Sequence, residues 1–354
     1  MKFHRLNYPG KTLIINTLDA RYDIFAAYFL KFWQEKFAAN ADLGLNGKKA
    51  GQRETISAEF AQGVDLPRGF FRQWWFFVKH RYSTVVFLNP DYKADVASKW
   101  AARLAWVKNR AGFAPLRNFL PLNFSLPFNA ENHHFVHQLK IFFEHLTGEK
   151  IAQWSKPVLT AEPTRQASEI AAHAGLGAIV LDVADVALPH LLPQLIRFIN
   201  LVARDERCSV TIRSSAKEAS DSAAELARQI SRTMTERAIE NTLPLINPTA
   251  GILSAVMQNA AWVTGVDAEA LNLAAHFEVP TLAVFGPLNE RVWQPFATRA
   301  RVITGEFACR PCTAFPGTVK CTATVPWQCV SGVSAELLLA TLNAVRRRKG
   351  AGSR

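Results

Sequence analysis

Residues 177–214, GAIVLDVADVALPHLLPQLIRFINLVARDERCSVTIRS, decide the fold. GAIVLDV (177–183) is a short apolar run rich in β-branched residues and reads as a buried strand. LPHLLPQLIRFINLVAR (188–204) repeats its apolar residues every three to four positions, the period of a helix packed on one face. CSVTIRS (208–214) returns to strand character. Strand, helix and strand in this order form the unit of a parallel α/β sheet.

The same alternation extends in both directions. Upstream, TLIIN (12–16), STVVFLN (83–89) and NRAGF (109–113) read as strands. DIFAAYFLKFWQEKFA (23–38), ADVASKWAARLAWV (94–107) and NHHFVHQLKIFFEHLTG (132–148) read as helices. Downstream, AGILSAVMQNA (250–260) is helical, PTLAVFGP (280–287) is a strand, and SAELLLATLNAVRRR (334–348) is a final amphipathic helix. Periodicity lapses in QWSKPVLTAEPTRQAS (153–168), which marks a linker. The expected organisation is an α/β domain over 1–155, a second over 156–333, and a C-terminal helix and basic tail over 334–354. Two open α/β units facing across a cleft would take ligands at the carboxyl ends of their strands.

A chain of 354 residues exceeds one ordinary core, which agrees with two domains. With 49% hydrophobic and 20% charged residues it is a globular composition. It contains no apolar run of about 18 residues, the length that reads as a membrane span. The N-terminal MKFHRLNYPGKTLIINTLDA has no apolar segment followed by a small-residue cleavage site, so the chain is expected to be cytoplasmic. A formal net charge of +12 calls for an acidic partner: nucleic acid, anionic lipid or a phosphorylated small molecule. Helix-turn-helix, zinc-finger and RNA-binding-sheet patterns are all missing, which argues against nucleic acid.

Four of the five cysteines fall in CRPCTAFPGTVKCTATVPWQC (309–329). Cys309, Cys312, Cys321 and Cys329 fit a closed tetrahedral thiolate site, with knuckle spacing in the first pair and PG and VP turns between the others. A reducing compartment disfavours disulfides, so the alternatives are a structural metal, zinc ahead of iron, or four reduced thiols. Four thiolates would leave no coordination position for substrate, so no catalytic metal is implied. Cys208 reads as a buried small hydrophobe. PRGFFRQWWFFVKHRY (67–82) carries seven aromatic and five basic residues. It suits either a membrane interface or a core element, and periodicity does not separate the two. His133 and His137 stand one helical turn apart but lack a well-placed carboxylate, so a helix face is the better reading.

AAWVTGVDAEALNLAAHFEVPTLAVFGPLNERVWQPFA (260–297) resembles the last core unit of glycosyltransferase family 9, the ADP-heptose:lipopolysaccharide heptosyltransferases. GVD (265–267), LAA (273–275), VPTLAVFGP (279–287) and ERVWQPF (290–296) fall in step with that family. RYSTVVFLNPDYKADVASKWAARLAWVKNRAGF (81–113) is similar to an earlier unit. The resemblance spans roughly residues 12–345 and is mostly architectural. It implies a GT-B fold, two Rossmann-like domains with the donor held mainly by the C-terminal one. It also implies an inverting transfer of a sugar, by implication heptose, from a nucleotide-sugar to an anionic glycolipid or other saccharide acceptor.

Three elements depart from the family pattern. Its Asp-Thr-Gly turn becomes Asp267, Ala268 and Glu269, followed by Asn272 where the family carries His. At such a helix N-terminus free N–H groups cradle a diphosphate. A carboxylate ~4 Å from that anion repels it by about 4 kcal/mol at an effective dielectric of ~20. The loop after the first C-domain strand, LDVADVALPHLLPQ (181–194), has two aspartates where the family has a lysine. The first βα loop, NTLDARYDIFAA (16–27), lacks glycine. Asp23 is the nearest match to the family's general base and Asp19 its competitor, though an Asp there also caps a helix. Asp267 is divided in the same way between donor contact and capping. Compensating charge would come from Arg213, Lys217 or Arg291, Arg213 being either a diphosphate fork or a salt-bridge partner. Gly286 completes the implied donor set.

These readings imply a cytoplasmic glycosyltransferase that binds no nucleic acid. Peripheral contact with the cytoplasmic face of the inner membrane and homo-oligomer formation stay open. The competing reading is a catalytically silent member of the fold that serves as a scaffold or partner-binding subunit.

Overall fold

The computed structural model describes residues 6, 9–17, 22–38, 41–46, 63–115, 119–152, 156–157, 169–170, 177–183, 185, 187–213, 220–266, 268–316 and 321–347. The chain divides into two compact units, Met1–Thr160 and Ala161–Arg354. The second unit therefore includes the C-terminal helix.

The first unit is a six-stranded, wholly parallel sheet in the order β3-β2-β1-β4-β5-β6. Its strands are β1 (Thr12–Asn16), β2 (Asp42–Asn46), β3 (Gly63–Leu66), β4 (Thr84–Phe87), β5 (Asn109–Phe113) and β6 (Phe124–Leu126). Between them lie α1 (Asp23–Phe37), α2 (Phe70–His80) and α3 (Val96–Leu104), and α4 (Phe135–Thr147) follows β6. β1 and β4 are buried along their whole length, as strands covered on both faces must be.

Right-handed crossovers place helices by the direction in which the chain moves across the sheet. The step from β1 to β2 goes one way; those from β3 to β4 and β4 to β5 go the other. Thus α1 lies on one face and α2 and α3 lie together on the opposite face. Aromatic residues fill the first layer: Phe29 of α1 contacts Phe142 and Phe143 of α4 at ring-centroid distances of 6.0 and 5.7 Å. In the second layer Phe76 and Phe77 of α2 and Ala101 and Ala102 of α3 pack on Leu13, Ile15, Val85 and Phe87. The 67–82 stretch is thereby resolved as an amphipathic helix with Phe76 and Phe77 in the core and Phe71 and Trp75 exposed.

The second unit repeats the plan in the order β12-β11-β10-β7-β8-β9, again all parallel. Its strands are β7 (Gly177–Asp182), β8 (Cys208–Arg213), β9 (Thr242–Ile246), β10 (Trp262–Gly265), β11 (Thr281–Val284) and β12 (Ala300–Ile303). The helices are α5 (Leu188–Ala203), α6 (Ser220–Thr233), α7 (Glu236–Glu240), α8 (Ala250–Asn259), α9 (Ala268–His276), α10 (Glu290–Trp293), α11 (Gln328–Ser331) and α12 (Ala335–Arg347). Residues of α5, α11 and α12 share one apolar core with β7 and β8, in which Cys208 is buried as a small hydrophobe. Pro189 stands in the first turn of α5, where its missing N–H costs nothing.

The strands that sequence patterning does not reveal are β2, β3, β6, β9, β10 and β12. Four of these six are sheet edges. An edge strand is only half covered and can be short or polar; β9 even carries Pro244, which a central strand excludes.

Candidate functional site

In a doubly wound sheet the ligand crevice opens where strand order reverses, outside the carboxyl ends of the two central strands. In the second unit these are β7 and β10. β10 ends at Gly265, whose φ of 144° lies in a region closed to L side chains. A Cβ there would stand 1.9 Å from the Val180 carbonyl oxygen of β7, so only glycine permits the approach. The chain then enters α9, which carries Glu269 in its first turn.

Arg213 ends β8, on the other side of β7, and its Nη2 donates to Glu269 Oε2 at 2.8 Å. Both side chains are largely shielded from solvent, at 16% and 21% exposure. The carboxylate introduced by the altered turn is therefore neutralised by the cation that the sequence nominates to compensate for it. Asn272 is buried one turn further along α9. Of the two aspartates in the loop after β7, Asp182 is buried at the strand end. Asp185 accepts from the Ala187 N–H at 2.8 Å and leads the chain into α5. Arg291 is exposed on α10. Asp267 and Lys217 lie outside the described residues.

Gly286 follows β11, and a Cβ on it would meet Val330 at 3.1 Å and the Cys329 sulfur at 4.0 Å. It belongs to the seat of the cysteine loop. The main anchor of that loop is Arg310, which sequence reasoning passed over. Its Nε donates to the Gly286 carbonyl at 2.6 Å, and its Nη2 donates to the Leu288 carbonyl at 3.2 Å and to Glu290 Oε2 at 3.0 Å. Its Nη1 donates to the Thr304 hydroxyl. A buried guanidinium thus ties residues 309–312 to the segments that follow β11 and β12.

Cys309, Cys312, Cys321 and Cys329 line one small pocket with Phe307 and Trp327. All four are free thiols. The Trp327 N–H donates to the Cys321 sulfur at 3.2 Å. Backbone N–H donors hold the Cys321 thiol below its ordinary pKa, because they favour the thiolate. Burial pushes Cys329 up, with Arg310 opposing and the neighbouring thiols adding. Burial, then Cys309 and Cys321, also push Cys312 up. Among the described residues no group of three or more His, Cys, Asp or Glu side chains stands in metal-ligating geometry. The thiols converge on a pocket without being drawn to bonding distance. The histidines at the start of α4 form no such group either: His134 caps the helix by accepting from the Val136 N–H, and His133 and His137 are exposed.

In the first unit the order reverses between β1 and β4. Asp19 lies outside the described residues, and Asp23 opens α1, its side chain not among those described. The carboxylate visible at this point is Asp95, read from sequence only as part of a helix start. Its Oδ2 accepts from the Thr17 hydroxyl at 2.5 Å, and Thr17 in turn accepts from Asn89 Nδ2 at 3.0 Å. Burial raises the Asp95 pKa against the opposing effects of Thr17 and Lys99. The residue sits at φ 59°, which Asp tolerates better than most side chains.

A family model described as glycosyltransferase family 9 (heptosyltransferase) matches residues 198–322. No curated protein sequence matches the chain. Among solved structures, E. coli ADP-heptose lps heptosyltransferase II superposes with a TM-score of 0.67 at 13% identity, covering 96% of this chain and 100% of the other. E. coli heptosyltransferase WaaC with ADP-2-deoxy-2-fluoro heptose gives 0.60 at 14% identity, covering 94% and 99%. The iron-containing dodecameric glycosyltransferase TibC from enterotoxigenic E. coli gives 0.56 at 8% identity, covering 98% and 78%. At these identities the solved structures establish the fold, α/β with two Rossmann-like units. The resemblance read from the sequence stands.

Proposed function

We propose that this chain is a glycosyltransferase that moves a sugar, by implication heptose, from a nucleotide-sugar to a glycolipid or other saccharide acceptor with inversion. The observation that carries the reading is the family match over 198–322, which includes the crevice where Arg213 meets α9. A guanidinium beside a helix N-terminus is suited to a diphosphate, provided Glu269 yields its place. The ADP-2-deoxy-2-fluoro heptose named with E. coli heptosyltransferase WaaC makes ADP-heptose the first donor to test. Asp23 is the proposed general base, at the start of the helix behind β1. Asp267, Asn272 and Arg291 remain proposed donor contacts with Arg213. Calorimetric titration with ADP-, UDP- and GDP-sugars tests the reading directly.

One observation favours the second reading, a silent scaffold of the same fold. The Arg213 guanidinium is already engaged by a carboxylate of its own chain. If neither the native protein nor Glu269→Gly binds any nucleoside diphosphate at millimolar concentration, the scaffold reading replaces the enzyme.

We propose further that Cys309, Cys312, Cys321 and Cys329 hold one structural metal. The donor set fits a thiophilic ion, and the convergence of the four thiols with an N–H donor on Cys321 supports it. Zinc remains the first candidate, and the iron named for TibC makes iron its direct competitor. The metal would staple residues 309–329 and supply no bond-making step. A cytoplasmic location and work at a membrane face belong to the same proposal. Among the described residues no helix is long and apolar enough to cross a membrane.

A further inference from the structure

The core of the first unit leaves one surface unaccounted for. α2 and α3 lie side by side, joined by a buried hydrogen bond from the Ser98 hydroxyl to Gln73 Oε1 at 2.9 Å. Their inner faces are consumed by the sheet. On the outer face of α2, Phe71 and Trp75 stand one turn apart and are 79% and 59% exposed. On α3, Val96, Trp100 and Leu104 form a stripe at successive turns, all exposed, and Trp106 just beyond is 85% exposed. Scattered exposed apolar residues need no explanation, but three tryptophans, a phenylalanine and two aliphatics on two packed helices form a patch.

The exposed charges carried by α2, α3 and the segments at their ends, Arg68 to Lys108, have one sign. Between Pro67 and Lys108 the chain has eight Lys and Arg and two Asp. Arg72 and Lys79 share the outer face of α2 with Phe71 and Trp75, and Arg103 joins Trp100 on α3. Arg68, Arg81, Lys93 and Lys108 are exposed at the ends of these elements. Neither aspartate is exposed: Asp91 accepts from the Lys93 N–H and Asp95 from Thr17. Only Lys99 of the eight cations is buried.

We propose that the outer faces of α2 and α3 dock this protein on an anionic lipid bilayer. Tryptophan and phenylalanine enter the headgroup boundary, while the encircling Lys and Arg meet the anionic headgroups. An acidic protein partner would also meet tryptophan beside arginine, and flotation with anionic vesicles in the absence of any other protein separates it from lipid. A second copy of the chain would bring the same positive charge against itself. The proposal rests on the reading of a lipid-borne acceptor, and it orients the first unit toward the membrane that would carry it.

The test uses the full chain without any sugar donor, so its outcome is separate from that of the transferase reading. Flotation with vesicles of phosphatidylcholine containing 30% phosphatidylglycerol, as against phosphatidylcholine alone, should show binding to the anionic vesicles that salt weakens. Replacing Arg72, Lys79 and Arg103 together by Gln should lower the partition coefficient about a hundredfold, the loss expected for three cations at an anionic surface. Trp75→Ser with Trp100→Ser should lower it comparably, while circular dichroism stays at the native level. Brominated lipid should quench tryptophan emission of the native protein, a readout that holds even if a variant folds poorly. Failure to float with anionic vesicles, or flotation that survives undiminished in both sets of variants, overturns the proposal. So does a concentration-dependent dimer that the Trp variant abolishes, because a second copy then covers the face.

Discussion

Arg213 and Glu269, 56 residues apart in sequence, form an ion pair of 2.8 Å where the end of β8 meets the start of α9. The pair converts an apparent defect into a balanced arrangement. Glu269 does not stand as a bare negative charge in an anion crevice, because the guanidinium nearest to it is already committed. Donor binding would have to exchange one anion for another at Arg213.

Glu269→Gly should therefore strengthen binding of a nucleoside diphosphate by about tenfold or more, well inside the ~4 kcal/mol Coulomb ceiling at an effective dielectric of ~20. Arg213→Ala should abolish that gain when combined with it. Calorimetry on the single and double variants decides. An unchanged affinity in Glu269→Gly would remove Arg213 from the donor site.

Freshly purified, reduced protein should contain about one zinc or iron ion per chain, and Cys312→Ser should lose it. Arg310→Ala should also loosen the loop, at a cost of about 2 kcal/mol, because it removes a donor from the buried Gly286 carbonyl and from the half-buried Leu288 carbonyl. Elemental analysis and thermal melting measure both. The absence of either metal in native protein sinks the staple.

Asp23→Asn should lower turnover by roughly a hundredfold or more, the usual contribution of a general base, and leave donor affinity unchanged. Asp95→Asn is the control at the same carboxyl end of the central strands, since its carboxylate is held by Thr17. Turnover lost in Asp95→Asn but retained in Asp23→Asn would transfer the assignment to Asp95.

The Tyr82 hydroxyl donates to Asp42 Oδ2 at 2.7 Å, and burial followed by this bond raises its pKa far above the ordinary tyrosine value. A folded state that keeps a proton the unfolded chain releases loses stability only as pH rises above the unfolded value of about 10. Tyr82→Phe should cost about 1 kcal/mol at neutral pH and flatten the decline above pH ~10. Denaturant titrations of both proteins from pH 8 to 11 check this. Parallel slopes would show that the decline has another source.

Gly265→Ala should be among the more damaging small substitutions, costing on the order of 3 kcal/mol, since it forces both a closed backbone region and a clash with Val180. A melting temperature within a degree of native would refute the close approach of β10 and β7.

Local pattern was enough for β1, β4, β5, β7, β8 and β11 and for helices α1, α3, α4, α5, α8 and α12. TLIIN, STVVFLN, GAIVLDV and PTLAVFGP are buried on both faces, and burial on both faces forces a continuous apolar run that can be read one residue at a time. The edge strands left no such trace. GVDL (63–66) and TLPLI (242–246) are held by a neighbour's backbone, whose hydrogen bonds ask nothing of the side chains. The cysteine spacing likewise announced a cluster, because chain length alone limits how far apart the four thiols can lie.

Sequence by itself determined the α/β class, the two units, the cysteine group and the divergence of the donor turn. Only the tertiary structure decided what that divergence means. Glu269 and Arg213 belong to different βα units, and nothing along the chain sets their separation; the order of β8, β7 and β10 in the sheet does. The same holds for Arg310, whose acceptors follow two different strands, and for Asp95, which meets Thr17 only because β4 pairs with β1. The aromatic stretch at 67–82 was ambiguous for a related reason. A helix with apolar residues on both sides has two equivalent readings until a sheet covers one face and leaves Phe71 and Trp75 on the other.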